Sequence, residues 1–134
     1  MIAASLQGLP NFIAYFLAAL VAIGAFVGAY VLITPHREFD LIRAGNSAAA
    51  TSLGGAVIGF TLPLASTIAH SVSMLDMAIW SAVALVAQIG AYFLASILVR
   101  GVSQRIADND TAAGVTMAAT SITIGIVNAA CITY

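Results

Sequence analysis

Four apolar runs divide the chain, at about Phe12 to Thr34, Ala48 to Ala69, Met77 to Leu98 and Ala112 to Thr133. None alternates with the period of two that marks a half-buried strand. Each is about 22 residues long, close to the roughly 20 that cross a hydrocarbon core as a helix. Such a core leaves backbone polar groups no water to bond, so an unclosed span must satisfy them within itself. The pattern predicts an all-α polytopic membrane protein with four transmembrane helices. Asn11 after Pro10 is a candidate cap for the first helix, and Pro35 a stop for it. Ser73 with Asp76 forms a capping-box pattern before the third, and Asp110 or Thr111 can cap the fourth.

Charge sharpens the picture. Of the nine charged residues, all but Asp76 fall in two linkers: Arg37, Glu38, Asp40 and Arg43 in the first, and Arg100, Arg105, Asp108 and Asp110 in the second. All four basic residues are arginines in those linkers, so the positive-inside rule predicts both to be cytoplasmic and both termini periplasmic. Trp80, Tyr134 and Tyr15 then fall at or near the outer interface. No basic residue precedes the first run, which exceeds the length of a signal-peptide core, so a retained helix is expected.

A hydrophobic fraction of 62% with 7% charged residues is far from the roughly 45–50% and about 25% of a soluble domain. The 134 residues hold one membrane domain. A net charge of -1 without lysine excludes a nucleic-acid footprint, and a single cysteine, Cys131, excludes an internal disulfide and a thiolate metal cluster.

The order of elements recurs. Ile23-Gly24-Ala25-Phe26 matches Ile89-Gly90-Ala91-Tyr92, and Asn46-Ser47-Ala48-Ala49 matches Asp110-Thr111-Ala112-Ala113. The halves, about 12–69 and 77–133, read as two parallel helical-hairpin repeats related by an axis along the membrane normal.

The residues Thr34-Pro35-His36, Glu38, Leu41-Ile42, Asn46 and Ala48-Ala49 form one motif. With Asn109, Thr111 to Gly114 and Asn128 to Cys131, this pattern resembles the YjfL-type bacterial inner-membrane proteins, or domain of unknown function 350. Pro63-Leu64, Trp80 and Gln88 also fall where that pattern puts them. The resemblance implies a multi-pass protein of the bacterial inner membrane. Members tend to be encoded beside envelope-stress, phage-shock-type and polyamine-related proteins, and the family name assigns no reaction.

Candidate chemistry is sparse. Arg37, Glu38, Asp40, Arg43, Arg100 and Arg105 are expected as cytoplasmic linker residues that either set topology in a solvated loop or touch lipid headgroups or a protein partner. Gly24 and Gly28 in span one, and Gly55 and Gly59 in span two, form small-residue ridges for helix packing within or between chains. Gln88, Thr116, Thr120, Thr123 and Asn128 are the in-span polar candidates, read as interhelical glue or as the lining of a shared axis. Pro63 should kink span two and free a carbonyl near position 59. His36 and His70 lie at opposite ends of span two, and no Ser has a His and an acid within reach. Catalytic residues, metal and cofactor are therefore expected to be absent. The partners expected are the bilayer, other copies in a homo-oligomer and a cytoplasmic or membrane protein. The leading reading is a non-enzymatic oligomeric scaffold or interaction subunit linked to envelope stress, and the rival is an oligomeric channel or small-solute conduit.

Overall fold

The computed structural model describes residues 1–132; Tyr134, expected at the outer interface, and the last position of span four lie outside the described residues. Among the described residues seven helices follow one another: α1 (Ile2–Leu6), α2 (Leu9–Ile33), α3 (Glu38–Arg43), α4 (Ser47–His70), α5 (Met74–Leu98), α6 (Val102–Ala107) and α7 (Thr111–Cys131). Four segments are long and apolar enough to cross a membrane: Ile2–Ile33, Ser47–His70, Met74–Leu98 and Thr111–Cys131. This is a multi-pass all-α membrane protein. Both charged linkers, expected as loops or turns, fold into six-residue helices.

The first span begins earlier than Asn11. Helix α2 opens at Leu9 with Gly8 at its cap and Pro10 in its first turn, where a missing N–H costs nothing. Asn11 is therefore an internal helical residue, which corrects the expected cap. Ser73 does cap α5, accepting from the Asp76 N–H at 3.1 Å, while the Asp76 carboxylate accepts from the Val72 N–H at 3.1 Å. Asp76 is thus a capping acid. Asp110 caps α7 by accepting from the Ala112 N–H.

The core is a crossing of α4 and α7 so close that backbones touch. A Cβ added at Gly55 would collide with Ala118, one at Gly114 would come within 2.6 Å of the Ala48 carbonyl oxygen, and one at Gly125 would meet the Gly59 carbonyl. Between lipid-embedded helices no hydrophobic drive exists, so stability comes from such packing. Pro63 lies buried inside an unbroken α4 and supplies no N–H to the Gly59 carbonyl. That freed oxygen faces the Gly125 backbone, where a Cα–H contact can partly replace the lost bond.

Helix α2 sits at the edge. Only Phe26 and Tyr30 are buried along it. Phe26 stacks on Phe60 of α4 with ring centroids 4.7 Å apart, and Tyr30 meets Tyr92 of α5 edge-on at 5.8 Å. Added Cβ atoms at Gly24 and Gly28 would meet nothing among the described residues, so both glycines face open space there. The Gly55 and Gly59 ridge packs directly on α7.

The two ridges should respond oppositely to an added methyl. Gly59→Ala should lower the unfolding midpoint in detergent, at roughly 1–3 kcal/mol for overpacking. Gly24→Ala should leave it unchanged or raise it, since alanine is favoured over glycine inside a helix by about 0.5–1 kcal/mol. Equal effects by circular dichroism would contradict the crossing described above.

Candidate functional site

The chemistry of this chain gathers where both linkers meet the helix ends, because two identical turns bring them there. At the end of α3 the N–H of Asn46 bonds the Leu41 carbonyl and that of Gly45 bonds Ile42, with Gly45 at φ 89°. At the end of α6 the N–H of Asp110 bonds the Arg105 carbonyl and that of Asn109 bonds Ile106, with Asn109 at φ 60°. Both are helix-ending turns that need a left-handed residue, a role filled by glycine or asparagine.

The two turns then lock onto each other. Buried Asn46 accepts from the Ala49 N–H at 2.8 Å, capping α4, and its amide donates to the Ile106 carbonyl at 2.8 Å and the Ala107 carbonyl at 3.2 Å, the last carbonyls of α6. Asn109 reaches back, its side-chain oxygen accepting from the Ala48 N–H at 3.1 Å and from the Ser47 hydroxyl at 3.2 Å. Orphan groups at two helix ends, the start of α4 and the end of α6, are satisfied by two asparagine side chains. Both linkers therefore lie at one end of the bundle.

Around this junction the charges divide into two kinds. Arg37 and Arg43 are 87% and 77% exposed in their side chains and approach Asp40 at 3.8 and 3.5 Å. Arg100 is exposed, and Arg105 donates to Asp110 at 2.7 Å. That hydrogen bond, before any other cause, holds the Asp110 carboxyl below the ordinary carboxylate range. Glu38 differs from all of them. Expected as a linker residue for a partner or lipid, it is fully buried and faces buried His36, with Oε1 3.0 Å from Nε2. Although that distance suits a hydrogen bond the orientation does not, and none of the four polar side-chain atoms has a hydrogen-bond partner. Helix α3 has six residues, fewer than two turns, and Glu38 lies on its inward face.

Deeper in the bundle the polar groups are closed on one another. Gln88 is buried, donates to the Ser121 carbonyl at 3.1 Å and accepts from the Asn128 amide, which also donates to the Ala84 carbonyl at 3.2 Å. Gln88 thus clamps α5 to α7 and is not available to line an axis between chains. The hydroxyls of Thr116 and Thr120 bond their own helix at the Ala112 and Thr116 carbonyls. With exposed Thr123 they border an outward groove of about 400 Å³ between α5 and α7. The buried phenol of Tyr30 lies 3.4 Å from the Ser52 hydroxyl, and Tyr92 lies 3.0 Å from that of Ser103. Neither tyrosine was singled out from sequence as a site residue; Tyr92 entered only as the repeat counterpart of Phe26, and no pattern in the chain marked Tyr30.

The family model for DUF350, a domain of unknown function, matches residues 4–132. The chain belongs to the DUF350 family. It is 35% identical over 129 residues to the UPF0719 inner membrane protein YjfL of Escherichia coli strain K12, covering 96% of this chain and 98% of the relative, and equally similar to the protein of that name in strain O157:H7. The UPF0719 transmembrane protein YshE of Bacillus subtilis strain 168 is 27% identical over 81 residues, 60% of each chain. No solved structure matches this DUF350 chain. The relatives' names and the four apolar helices together make it a multi-pass protein of inner-membrane type.

Two measurements probe the junction. Asn46→Ala removes a cap and two buried donations, so it should destabilise the fold by roughly 1–3 kcal/mol in detergent unfolding. The Arg105–Asp110 contribution carries a pH signature. Because the folded carboxyl titrates below its unfolded value, the contribution is complete above about pH 3.9 and is lost as pH falls through the lowered value. Thermal midpoints of the wild type and Arg105→Gln should differ at neutral pH and converge in strong acid.

Proposed function

We propose that this DUF350 chain is a non-enzymatic interaction subunit of the inner membrane. It assembles as a homo-oligomer and meets a cytoplasmic or membrane partner through the exposed charges of α3 and α6. The observation that supports this reading most is the separation of its polar groups. Gln88, Ser121 and Asn128 are spent on holding helices together, while Arg37, Arg43, Arg100 and Arg105 are exposed at one end. Under the positive-inside rule that end faces the cytoplasm and the termini face the periplasm.

The Gly24 and Gly28 ridge, uncovered among the described residues, offers α2 for contact with another copy. Recurrence of the element order supports the two-repeat reading: α2, α3 and α4 return as α5, α6 and α7 at a spacing of 64 to 65 residues. The resemblance to a family encoded beside envelope-stress proteins supports that setting for the subunit. The names of these relatives, an inner membrane protein and a transmembrane protein, carry no reaction.

One observation favours a conduit as the second reading. The groove beside Thr116, Thr120 and Thr123 faces outward, so a neighbouring copy could close it into a hydroxyl-lined path. Purified protein in liposomes separates the two. The interaction subunit should pass neither ions nor polyamines, and should co-purify with a partner that is lost on Arg37→Gln with Arg43→Gln. Selective flux abolished by Thr120→Val, with assembly intact, would establish the conduit instead.

A further inference from the structure

The two linkers differ at their inward positions. Where the second half has exposed Arg100 and buried Val102 at the start of α6, the first half has His36 and Glu38, both buried at the start of α3. A hydrocarbon side chain therefore serves the packing of such a linker, and a carboxyl there needs another reason. Buried carboxylates are stable when paired with an opposite charge or when they coordinate a metal ion. His36 lies against Glu38 with Nε2 3.0 Å from Oε1, yet no hydrogen bond joins them. The other imidazole nitrogen and the other carboxylate oxygen also lack a partner among the described residues.

Geometry discriminates between the groups that could satisfy these atoms. An ion pair of this closeness would aim its N–H at the oxygen, and the orientation denies that. Water needs a place about 2.9 Å from the atom it bonds. All four atoms are enclosed too tightly for a water-sized sphere to touch them. A metal ion sits closer, about 2.0–2.2 Å from an imidazole nitrogen or a carboxylate oxygen, and two donors sharing one ion at about 90–110° lie about 2.9–3.4 Å apart. Their lone pairs then point at the ion and not at each other. A separation of 3.0 Å with no hydrogen bond along it has this form.

The geometry points to a binding site for one divalent first-row metal ion, held by His36 Nε2 and Glu38 Oε1 at the turn from α2 into α3. No third His, Cys, Asp or Glu joins the pair among the described residues, so the further donors at hand are oxygens. The Tyr30 phenol faces Glu38, and the Ser52 hydroxyl lies 3.4 Å from that phenol, at the long limit of a hydrogen bond. One imidazole among oxygens, without sulfur, suits Zn²⁺, Mn²⁺ or Fe²⁺ better than Cu⁺, while Mg²⁺ and Ca²⁺ prefer oxygen alone. A groove of about 320 Å³ bordered by Thr34, His36 and Asp40 gives access to the imidazole from outside. The separation of His36 from His70 argued against a metal in the sequence; the partner that the fold supplies is Glu38, two residues along. The ion pins the chain leaving α2 to the first turn of α3, and so fixes the face on which Arg37 and Arg43 stand.

The full chain in lipid nanodiscs, stripped with a chelator, tests this by equilibrium dialysis against Zn²⁺ and Mn²⁺ in turn. One ion should bind per chain, and neither Mg²⁺ nor Ca²⁺ should displace it. His36→Gln and Glu38→Gln should each weaken binding at least about a hundredfold, since loss of even an outer-shell partner costs about 10–100-fold. His70→Gln, at the far end of α4, should bind as the wild type does. Metal should also raise the thermal midpoint of the wild type and leave that of Glu38→Gln unchanged. Where a variant fails to fold, Co²⁺ in the wild type reads the site alone, because its visible absorption departs from that of the hydrated ion once protein donors replace water. Absence of saturable binding, equal affinity in wild type and Glu38→Gln, or a Co²⁺ spectrum that stays that of the hydrated ion would each overturn the proposal.

Discussion

Everything else in this molecule hangs on the backbone contact between α4 and α7. In lipid, apolar side chains gain little from leaving the solvent for a neighbouring helix, so association depends on close approach and on polar groups that find partners. Gly55 and Gly59 on one helix, and Gly114 and Gly125 on the other, remove the side chains that would hold the helices apart. The crossing also absorbs a defect. The carbonyl that Pro63 leaves without a helical donor, that of Gly59, is the one pressed against Gly125, and the Gln88 amide lies beside Gly59 where it bonds the Ser121 carbonyl. One small-residue site thus accommodates a proline, a close contact and the clamp from α5.

From that crossing the order of attachment runs outward. Helix α5 is joined through Gln88 and Asn128, and α2 through one aromatic chain of Phe60, Phe26, Tyr30 and Tyr92. The charged end is secured by Asn46 and Asn109, each of which ties a helix end in one half to a helix end in the other. Because these asparagines satisfy backbone groups of α4 and α6 at once, the short helices are part of the fold and not loops laid on it. A surface presented by α3 and α6 therefore has a defined shape, held by the same bonds that start the long helices.

Much of this was legible in the chain and some was not, for identifiable reasons. Span number and the α5 and α7 caps follow from local rules: run length, and an acid or serine at a helix start. Asn11 misled because a proline near a helix start is equally at home inside the first turn, and the chain before it continues apolar. Glu38 misled more. A carboxylate lying between Arg37 and Asp40 reads as a solvated linker residue, and only the folding of that linker into a six-residue helix against α4 directs it inward while Arg37 and Asp40 stay out.

The sequence by itself determined the solvent of this protein, its four crossings and the gathering of charge into two linkers, because bilayer thickness and the cost of buried charge act on composition and length alone. Tertiary structure decided which small residues meet a neighbour and which face outward, which polar groups are consumed by packing, and which of the linker charges is sealed beside His36. Those outcomes depend on the rotation of each helix about its axis. That rotation is settled by contacts some sixty residues apart, such as those of Asn46 with Ile106 and of Asn109 with Ala48, which no local pattern encodes.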